Sequence, residues 1–295
     1  MIDKYAKRQR REQEMLQRQV AYQERERAEH KARRRLEKLH NKQRKAKEEP
    51  TPLPAPLMGP LHVACLIHGQ VYDWQYVDKL YNSVTRNTDH EVVFHVFTEA
   101  HREVPSYMIK HSLDEWAGVS GPRKGWWYKM QIFNPLHHAG PLLYLDLDTV
   151  IVGNIDWIPK LSIRYFWASR DFRSLWRPYH RGINSSVMWW DTQRHHWIWD
   201  EFIKRDINHL VKQYAGDQDY VTDLLTDRDL RYFLPQKAVS WRWQCLDGGL
   251  DFRTRKYREP NSGTKFDPEA SLLIFHGSPK PHEVQHDQVV HNFWR

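Results

Sequence analysis

The segment that decides the fold is residues 141–156, which read PLLYLDLDTVIVGNID. Its apolar residues predict a strand over 141–148 that is buried on both faces. Asp146 and Asp148 lie two positions apart, and side chains at that spacing in extended backbone point to the same face. Two adjacent carboxylates are costly unless a proton or cation relieves them, and hard divalent cations prefer oxygen ligands. The pair therefore predicts a metal site, with two solvated acids at a strand end as the structural alternative.

Alternating strand and helix patterns surround this segment. Strands are predicted over 61–68, 91–99, 165–169, 184–191 and 272–276, and helices over 73–87, 126–134, 192–212 and 217–226. The alternation predicts an α/β domain with a mostly parallel central sheet flanked by helices. In such sheets, ligands bind beyond the carboxyl ends of the strands. The polar stretch 227–270 is predicted to be loop, serving as a flap or an acceptor surface.

The first sixth of the chain differs in composition from the rest. The whole protein has a net charge of +8, and all of that excess lies in residues 1–49, which contain no Gly or Pro. This composition predicts a charged arm, helical or disordered, that contacts a polyanion or another protein. Residues 50–60 contain five prolines and predict an extended linker. The folded domain is then 61–295.

Cysteine content and hydropathy exclude several classes of protein. Two cysteines, Cys65 and Cys245, are too few for a disulfide framework and are predicted to be buried thiols. No apolar run approaches the roughly 20 residues of a membrane span, so no transmembrane segment is expected. The charged N-terminus lacks the apolar stretch of a secretory signal. A cytoplasmic location is the resulting expectation.

Two enzyme classes use an acidic pair of this kind. The D-x-D-x-[TV] motif of haloacid-dehalogenase-type phosphatases is matched by Asp146, Asp148 and Val150, and Asp146 would then be the nucleophile. That motif normally follows the first strand of its domain, whereas here a strand, a helix, a second strand and a further helical stretch come first. In nucleotide-sugar glycosyltransferases the D-x-D follows the nucleotide-binding half, which fits the order of elements better.

Five segments carry a more specific resemblance, and they occur in the order of the family they resemble. They are WYK (127–129), YLDLDTVIVGNID (144–156), GINSSVMWWD (182–191), GDQDYV (216–221) and FHGSPKPH (275–282). With these motifs, residues 61–282 resemble a GT-A-fold glycosyltransferase of family 8, the glycogenin-like enzymes. Ser186 replaces a glycine of the family pattern, Gly277 directly follows His276, and His282 replaces a tryptophan. The chain is therefore similar to a divergent member.

The resemblance implies an activity and a set of site residues. It implies metal-dependent transfer of a sugar from a nucleoside-diphosphate sugar, with UDP as the expected nucleotide and retention of configuration, to an unidentified glycan, protein or small-molecule acceptor. Mn²⁺ is the expected cofactor, with Mg²⁺ as the alternative, and the implied ligands are Asp146, Asp148 and His276. Implied donor-binding residues are Lys129, Asp146, Asn184, Ser185, Gly277 and Lys280. Implied catalytic residues are Asp217, Gln218 and Lys280.

Each of these residues also has a structural interpretation. The two lysines can be ordinary surface cations, His276 a hydrogen-bonded histidine at a strand end, Asn184 a strand-start cap, and Asp217 an acid favoured by a helix N-terminus. A GT-A-like domain that binds sugar nucleotides or glycans without turnover is the non-enzymatic alternative. Gly277 can let the backbone approach a phosphate closely, because glycine has no Cβ.

Overall fold

The computed structural model describes residues 59–119, 125–177, 180–225, 230–245, 250–251, 256–257 and 265–295. The predicted arm, 1–49, and nearly all of the predicted linker, 50–60, lie outside these residues. Both therefore remain predictions.

Within the described residues the chain forms twelve strands. They are β1 (Leu61–Leu66), β2 (Val92–Thr98), β3 (Ile109–Ser112), β4 (Pro141–Leu145), β5 (Thr149–Ile151), β6 (Phe166–Arg170), β7 (Ile183–Asp191), β8 (Leu230–Tyr232), β9 (Ala238–Ser240), β10 (Leu250–Asp251), β11 (Lys256–Tyr257) and β12 (Leu272–Ile274). The α-helices are α1 (Trp74–Arg86), α2 (Trp197–Ile203), α3 (Ile207–Gln213), α4 (Asp217–Leu225) and α5 (Gln288–Phe293). Other helical turns cover Gly125–Phe133, Phe172–Leu175, Trp241–Cys245 and Pro281–Val284.

Seven strands form the main sheet in the order β3-β2-β1-β4-β7-β6-β8. Strand β1 runs parallel to β2 and β4, β2 runs parallel to β3, and β6 runs parallel to β8. Strand β7 is antiparallel to both of its neighbours, β4 and β6, so it runs against the other six strands of this sheet. The predicted α/β architecture with a mostly parallel sheet is confirmed.

The direction of β7 brings three chain segments to one edge of the sheet. Leu145, the last residue of β4, pairs with Val187, and Arg170, the last residue of β6, pairs with Ile183. The amino end of β7 therefore lies between the carboxyl ends of β4 and β6. Residues that follow β4 and β6 are thereby close to residues that open β7.

Helices cover both faces of the main sheet. Val77, Leu80 and Val84 of α1 are buried at helical spacing and pack in the same core as Trp189 of β7. Trp190, the next residue, points to the other face and packs with the Gly125–Phe133 turn and helices α2 to α4. The two rings thus belong to two separate cores, as the twofold alternation of a strand requires.

The chain leaves the main sheet at the two aspartates, which corrects the strand predicted over 141–148. Strand β4 ends at Leu145, and residues 146–148 form a turn in which the Thr149 N–H donates to the carbonyl oxygen of Asp146 (3.0 Å). Strand β5 then joins a second sheet of order β5-β12-β9. Asp146 and Asp148 are therefore neighbours in a turn rather than two positions on one strand face.

Two further predictions are corrected. The single helix predicted over 192–212 is two helices, α2 and α3, and α3 has its own N-cap because the Asp206 carboxylate accepts from the Asn208 N–H (2.9 Å). The loop predicted over 227–270 contains β8, β9 and the turn at Trp241–Cys245. These short elements have no long periodic pattern, and the two strands depend on pairing with distant segments, β8 with β6 and β9 with β12.

Burial agrees with the prediction made for the two cysteines. Cys65 and Cys245 are buried free thiols. Of the helices in the described part of the chain, none combines the length and the apolar character needed to cross a lipid bilayer.

Candidate functional site

The turn after β4 is tied to the start of β7. The Asp146 N–H donates to the carbonyl oxygen of Ser186 (2.8 Å), and the Ser186 N–H donates to the Asn184 side-chain oxygen (3.2 Å). The side chain of Asn184 therefore holds the backbone near the start of β7. These contacts place Asp146 next to the start of β7, where Ser185 lies between Asn184 and Ser186. These residues belong to the first half of the site.

Lys129 connects three predicted site residues. Its Nζ lies 2.8 Å from Asp146 Oδ1 and 3.6 Å from Asp217 Oδ2, and it donates to Ser185 Oγ (3.2 Å). Ser185 Oγ in turn donates to Asp217 Oδ2 (3.0 Å). Lys129 is only 9% exposed, and a cation buried to this extent requires charged partners. The structure thus brings Lys129, Asp146, Ser185 and Asp217 into one network.

Lys280 forms the second half of the site with Asp148. Its Nζ pairs with Asp148 Oδ2, and the Tyr72 hydroxyl donates to the same oxygen (2.9 Å). Lys280 lies four residues beyond His276, in the segment after β12. Each aspartate of the D-x-D therefore has its own lysine, Lys129 for Asp146 and Lys280 for Asp148.

The surroundings shift the pKa values of the three carboxyl groups in different directions. Burial alone would raise the pKa of Asp146, but Lys129 and hydrogen bonds from Ser186 and Tyr144 outweigh it and lower the pKa. Burial raises the pKa of Asp148, and Lys280 only partly offsets this. Burial also raises the pKa of Asp217. Asp148 and Asp217 are therefore carboxylates that would gain from additional positive charge.

His276 lies in an aromatic environment. Its Nε2 is 2.6 Å from Ser240 Oγ, and its ring stacks on Phe172 at a centroid distance of 5.0 Å and on Trp243 at 6.2 Å. Burial, with help from the charge of Arg242, lowers the pKa of His276 to about 4. The ring is consequently neutral at neutral pH, which is the form that binds metals.

The predicted metal ligands are brought together only in part. Asp146 and Asp148 share one turn, but within the described ranges the ligand atoms of Asp146, Asp148 and His276 do not all lie within 4.8 Å of one another. Their chemistry nevertheless suits a divalent cation, because two carboxylates and a neutral imidazole form the mixed oxygen and nitrogen set that Mn²⁺ accepts. The ligand assignment remains a prediction.

Gln218, at the start of α4, joins the site to the end of β6. Its Oε1 accepts from the Ser185 N–H (3.3 Å), and its Nε2 donates to Asp171 Oδ2 (3.1 Å). Arg173 Nε also donates to that carboxylate (2.8 Å), and His180 Nε2 lies 3.0 Å from it. Asp217 and Gln218 are adjacent in sequence and both contact Ser185, Asp217 at its hydroxyl group and Gln218 at its N–H, and Gln218 also contacts Asp171.

Sequence reasoning did not single out Asp171, Tyr72 or Tyr144. Asp171 directly follows β6, so its position after a predicted strand was a usable signal. Tyr72 contacts Asp148 across 76 positions of sequence, and no local pattern reports such a contact. The Tyr144 hydroxyl donates to Asp146 Oδ1 (2.8 Å), although its place in the strand predicts only a buried ring.

Gly277 has a backbone requirement of its own. Its φ is +76°, and a Cβ at this position would lie 2.9 Å from a guanidinium nitrogen of Arg242. Any other residue would be strained by the backbone and would crowd Arg242. The contact of Gly277 with a phosphate remains a prediction.

Comparison with known proteins gives matches at the level of structure. No protein-family model matches the sequence, and no curated protein matches it. The galactosyltransferase LgtC, solved in complex with donor and acceptor sugar analogues, superposes with a TM-score of 0.52 at 14% identity, over 79% of this chain and 94% of LgtC. An active-site mutant of LgtC gives a TM-score of 0.51 at 14% identity with the same coverage.

A further similar structure is the glycosyltransferase GlyE of Streptococcus pneumoniae TIGR4, with a TM-score of 0.47 at 15% identity. That match covers 61% of this chain and 46% of GlyE, so this chain spans less than half the length of GlyE. At such low identities the likeness concerns the fold. The chain has the GT-A fold of glycosyltransferases, and the fold that its motifs predict is confirmed.

Proposed function

We propose that this protein is a glycosyltransferase that binds a nucleoside-diphosphate sugar beyond the carboxyl end of β4. The observation that carries the proposal is the network of Lys129, Asp146, Ser185 and Asp217 beside the Asp148–Lys280 pair. This network lies at the edge where ligands of parallel α/β sheets bind. The site contains two cations, Lys129 and Lys280, that can bind a diphosphate, and it contains hydrogen-bonding groups that can bind a sugar.

The diphosphate side of the site is assigned to Lys280 and Gly277. Breaking the glycosidic bond leaves negative charge on the nucleoside diphosphate, and a fixed ammonium group stabilises that charge as it develops. Lys280 is held at the site by Asp148 and is only about one-quarter exposed, so its charge is weakly screened. Gly277, three residues earlier, offers backbone that a phosphate can approach.

A divalent cation is assigned to Asp146, Asp148 and His276. Mn²⁺ is favoured, with Mg²⁺ as the alternative, and the bound ion would supply positive charge to the diphosphate. The raised pKa of Asp148 and the neutral ring of His276 support this assignment. Asp146 carries its charge already paired with Lys129 and orients the turn that presents both aspartates.

The sugar side of the site is assigned to Gln218, Asp217, Asn184 and Ser185. Asp217 is 5% exposed and is held by Lys129 and Ser185, so we assign it a positioning role rather than nucleophilic attack on the anomeric carbon of the donor sugar. Gln218 is half-buried, and its amide can hydrogen-bond hydroxyl groups at both ends. The LgtC mutant that superposes on this chain has an active-site glutamine replaced by glutamate, and we propose Gln218 as an active-site residue here.

Turnover of nucleotide sugars tests the proposal. The full chain is incubated with a panel of UDP-, GDP-, CMP- and ADP-linked sugars, with Mn²⁺ or with EDTA, and the released nucleotide is measured. One donor should be consumed in a metal-dependent reaction. Lys280→Met should lower kcat/KM at least about 100-fold, because it removes a preorganised charge. Lys204→Met, on an exposed surface pair with Glu201, is the matched control and should retain full activity.

The stereochemical outcome follows from the resemblance to family 8, which implies retention. Proton NMR of the product assigns the anomeric configuration directly. An inverted anomeric centre would refute the retaining assignment while leaving the transferase proposal intact.

Two alternatives make different predictions in the same assays. A phosphatase should release phosphate from simple phosphomonoesters with Mg²⁺ and lose that activity in Asp146→Asn. The fold argues against it, because the match is to glycosyltransferases. A non-catalytic sugar-nucleotide-binding domain should bind a donor without consuming it. The proposed acceptor is a glycan, a protein or a small molecule, and residues 1–49 are proposed to contact a polyanion or another protein.

A further inference from the structure

Five histidines lie together on one face of the main sheet. They are His62 of β1, His95 of β2, His111 of β3, and His137 and His138 in the segment before β4. The Nδ1 of His62 and the Nε2 of His95 are 2.9 Å apart, and the Nδ1 of His95 and the Nε2 of His111 are also 2.9 Å apart. The ring centroids of His62 and His138 are separated by 4.3 Å.

This cluster lies at the opposite end of the sheet from the candidate donor site. His62 is the second residue of β1, and His138 precedes β4, so both lie toward the amino ends of parallel strands. Asp146 follows the carboxyl end of β4. The five residues of β4 therefore separate the two regions by about 16 Å, at roughly 3.3 Å per residue. Nothing in the proposed transferase mechanism uses these histidines.

We propose that His62, His95 and His138 form a zinc site. One ring nitrogen from each of the three lies within 4.8 Å of the others. Nitrogen ligands of a tetrahedral zinc ion at about 2.0–2.1 Å lie about 3.3 Å from one another. Side-chain rotations that move the ring nitrogens by about 1 Å therefore allow all three to bind one ion. Water supplies the fourth ligand.

The hydrogen bonds around the cluster favour this arrangement. A histidine that binds a metal through one nitrogen usually donates the other N–H to a carbonyl, a carboxylate or another acceptor. His138 Nε2 is 3.1 Å from the carbonyl oxygen of Pro141, which leaves Nδ1 for the metal. His95 Nδ1 is paired with His111 Nε2, which leaves Nε2. His111 is thus a supporting residue that fixes the ring of His95.

The charge state and ligand type are those that zinc requires. Burial lowers the pKa values of His62 and His138, and with neighbouring histidines it lowers the pKa of His95 to about 3. All three rings are therefore neutral at neutral pH and offer lone pairs. A set made of imidazole nitrogens suits Zn²⁺, whereas Mn²⁺ and Mg²⁺ prefer oxygen ligands. The cluster and the donor site consequently differ in metal preference.

The test is metal binding by the full chain, purified without a polyhistidine tag and stripped with EDTA. Zn²⁺ is titrated by calorimetry, and Co²⁺ replaces it for visible absorption. We expect one tight Zn²⁺ site per chain and the intense spectrum of tetrahedral cobalt. His62→Gln and His138→Gln should each weaken Zn²⁺ binding at least about tenfold and abolish that spectrum. Both residues are half-buried, so circular dichroism should show a native fold.

Two matched controls separate this site from other metal sites. His101→Gln removes an exposed histidine outside the cluster and should leave Zn²⁺ affinity unchanged. Asp148→Asn alters the donor site and should also leave it unchanged. Equal affinity in the wild type, His62→Gln and His138→Gln would overturn the proposal, as would loss of the site in Asp148→Asn. If a histidine variant unfolds, the Co²⁺ spectrum of the wild type still tests the proposal. A weak spectrum typical of octahedral cobalt would overturn it.

Discussion

Lys129 is a buried cation that holds two acidic residues of the site together. The ammonium group is shared between Asp146 and Asp217, which come from the turn after β4 and the start of α4. The structural interpretation of Lys129 as an ordinary surface cation is therefore wrong. Sequence motifs identified Lys129, Asp146 and Asp217, but the pairing of Asp148 with Tyr72 is a contact between distant segments that no local pattern encodes.

Replacing Lys129 should destabilise the protein strongly. Lys129→Met leaves the buried carboxylate of Asp217 and the half-buried carboxylate of Asp146 without their cation, and breaking a buried pair in this way costs about 3 kcal/mol or more in the free energy of unfolding. Urea unfolding in EDTA measures the change. Lys204→Met, which breaks an exposed pair with Glu201, should cost less than about 1 kcal/mol.

A second substitution makes the Lys129 test specific. Asp217→Asn in the Lys129→Met background removes one uncompensated carboxylate and should restore part of the lost stability. Equal, small losses in Lys129→Met and Lys204→Met would contradict the assignment of a buried charge network.

Helices and strands with strong local patterns were predicted correctly. Helix α1 lies within the predicted range because its buried residues recur at helical spacing, and β1, β2, β6, β7 and β12 lie at predicted strands. Strand β3 was missed because its four residues, IKHS, contain no apolar run. The turn at 146–148 was missed because its two aspartates flank Leu147, which extends the apolar run of β4.

The N-terminus of α1 offers a test at the scale of one element. The Asp73 carboxylate accepts from the Gln75 N–H (3.0 Å) and caps the helix. Asp73→Ala should lower the free energy of unfolding by about 1 kcal/mol, whereas Asp73→Asn should change it by only a few tenths, because asparagine caps equally well. Chemical denaturation distinguishes them. An asparagine variant as unstable as the alanine variant would show that the cap is not the cause.

The direction of β7 is the feature of the whole molecule on which the site depends. Because β7 runs against β4 and β6, its first residues meet the ends of both strands. The residues of a strand specify its burial but not its direction. The sequence alone therefore predicted the strand, but not that its first residues lie beside the ends of β4 and β6. Only the family resemblance predicted that Lys129, Asp146, Ser185 and Asp217 belong to one site.

Buried histidines should make the whole protein sensitive to mild acid. Burial is the main cause that lowers the pKa of His95 to about 3 and those of His111 and His276 to about 4. As pH falls below about 6.5, the unfolded chain takes up protons at these positions and the folded protein does not. The free energy of unfolding should therefore decrease as the pH is lowered, by up to about 1.4 kcal/mol per pH unit for each group, until the pH reaches the pKa values of the folded protein.

Urea unfolding in EDTA at pH 7, 6 and 5 measures this dependence. The free energy of unfolding should decrease over this range, before most carboxylates of the unfolded chain titrate near pH 4. His111→Gln should reduce the slope, because it removes one histidine that stays neutral in the fold. A free energy that is constant from pH 7 to 5 would contradict the buried, neutral state of these rings.

Thermal unfolding of the full chain with nucleotides tests whether a donor site lies at the end of β4. UDP, GDP, CMP and ADP are each added with Mn²⁺ or with EDTA, to the wild type, to Asp148→Asn and to the exposed control Asp200→Asn. One nucleotide, with UDP expected, should stabilise the wild type and Asp200→Asn only with metal, by about 2.7 kcal/mol at 100 times its Kd. Asp148→Asn should lose this shift. The absence of any nucleotide-dependent shift, or an equal shift in Asp148→Asn, would contradict a donor site at the end of β4.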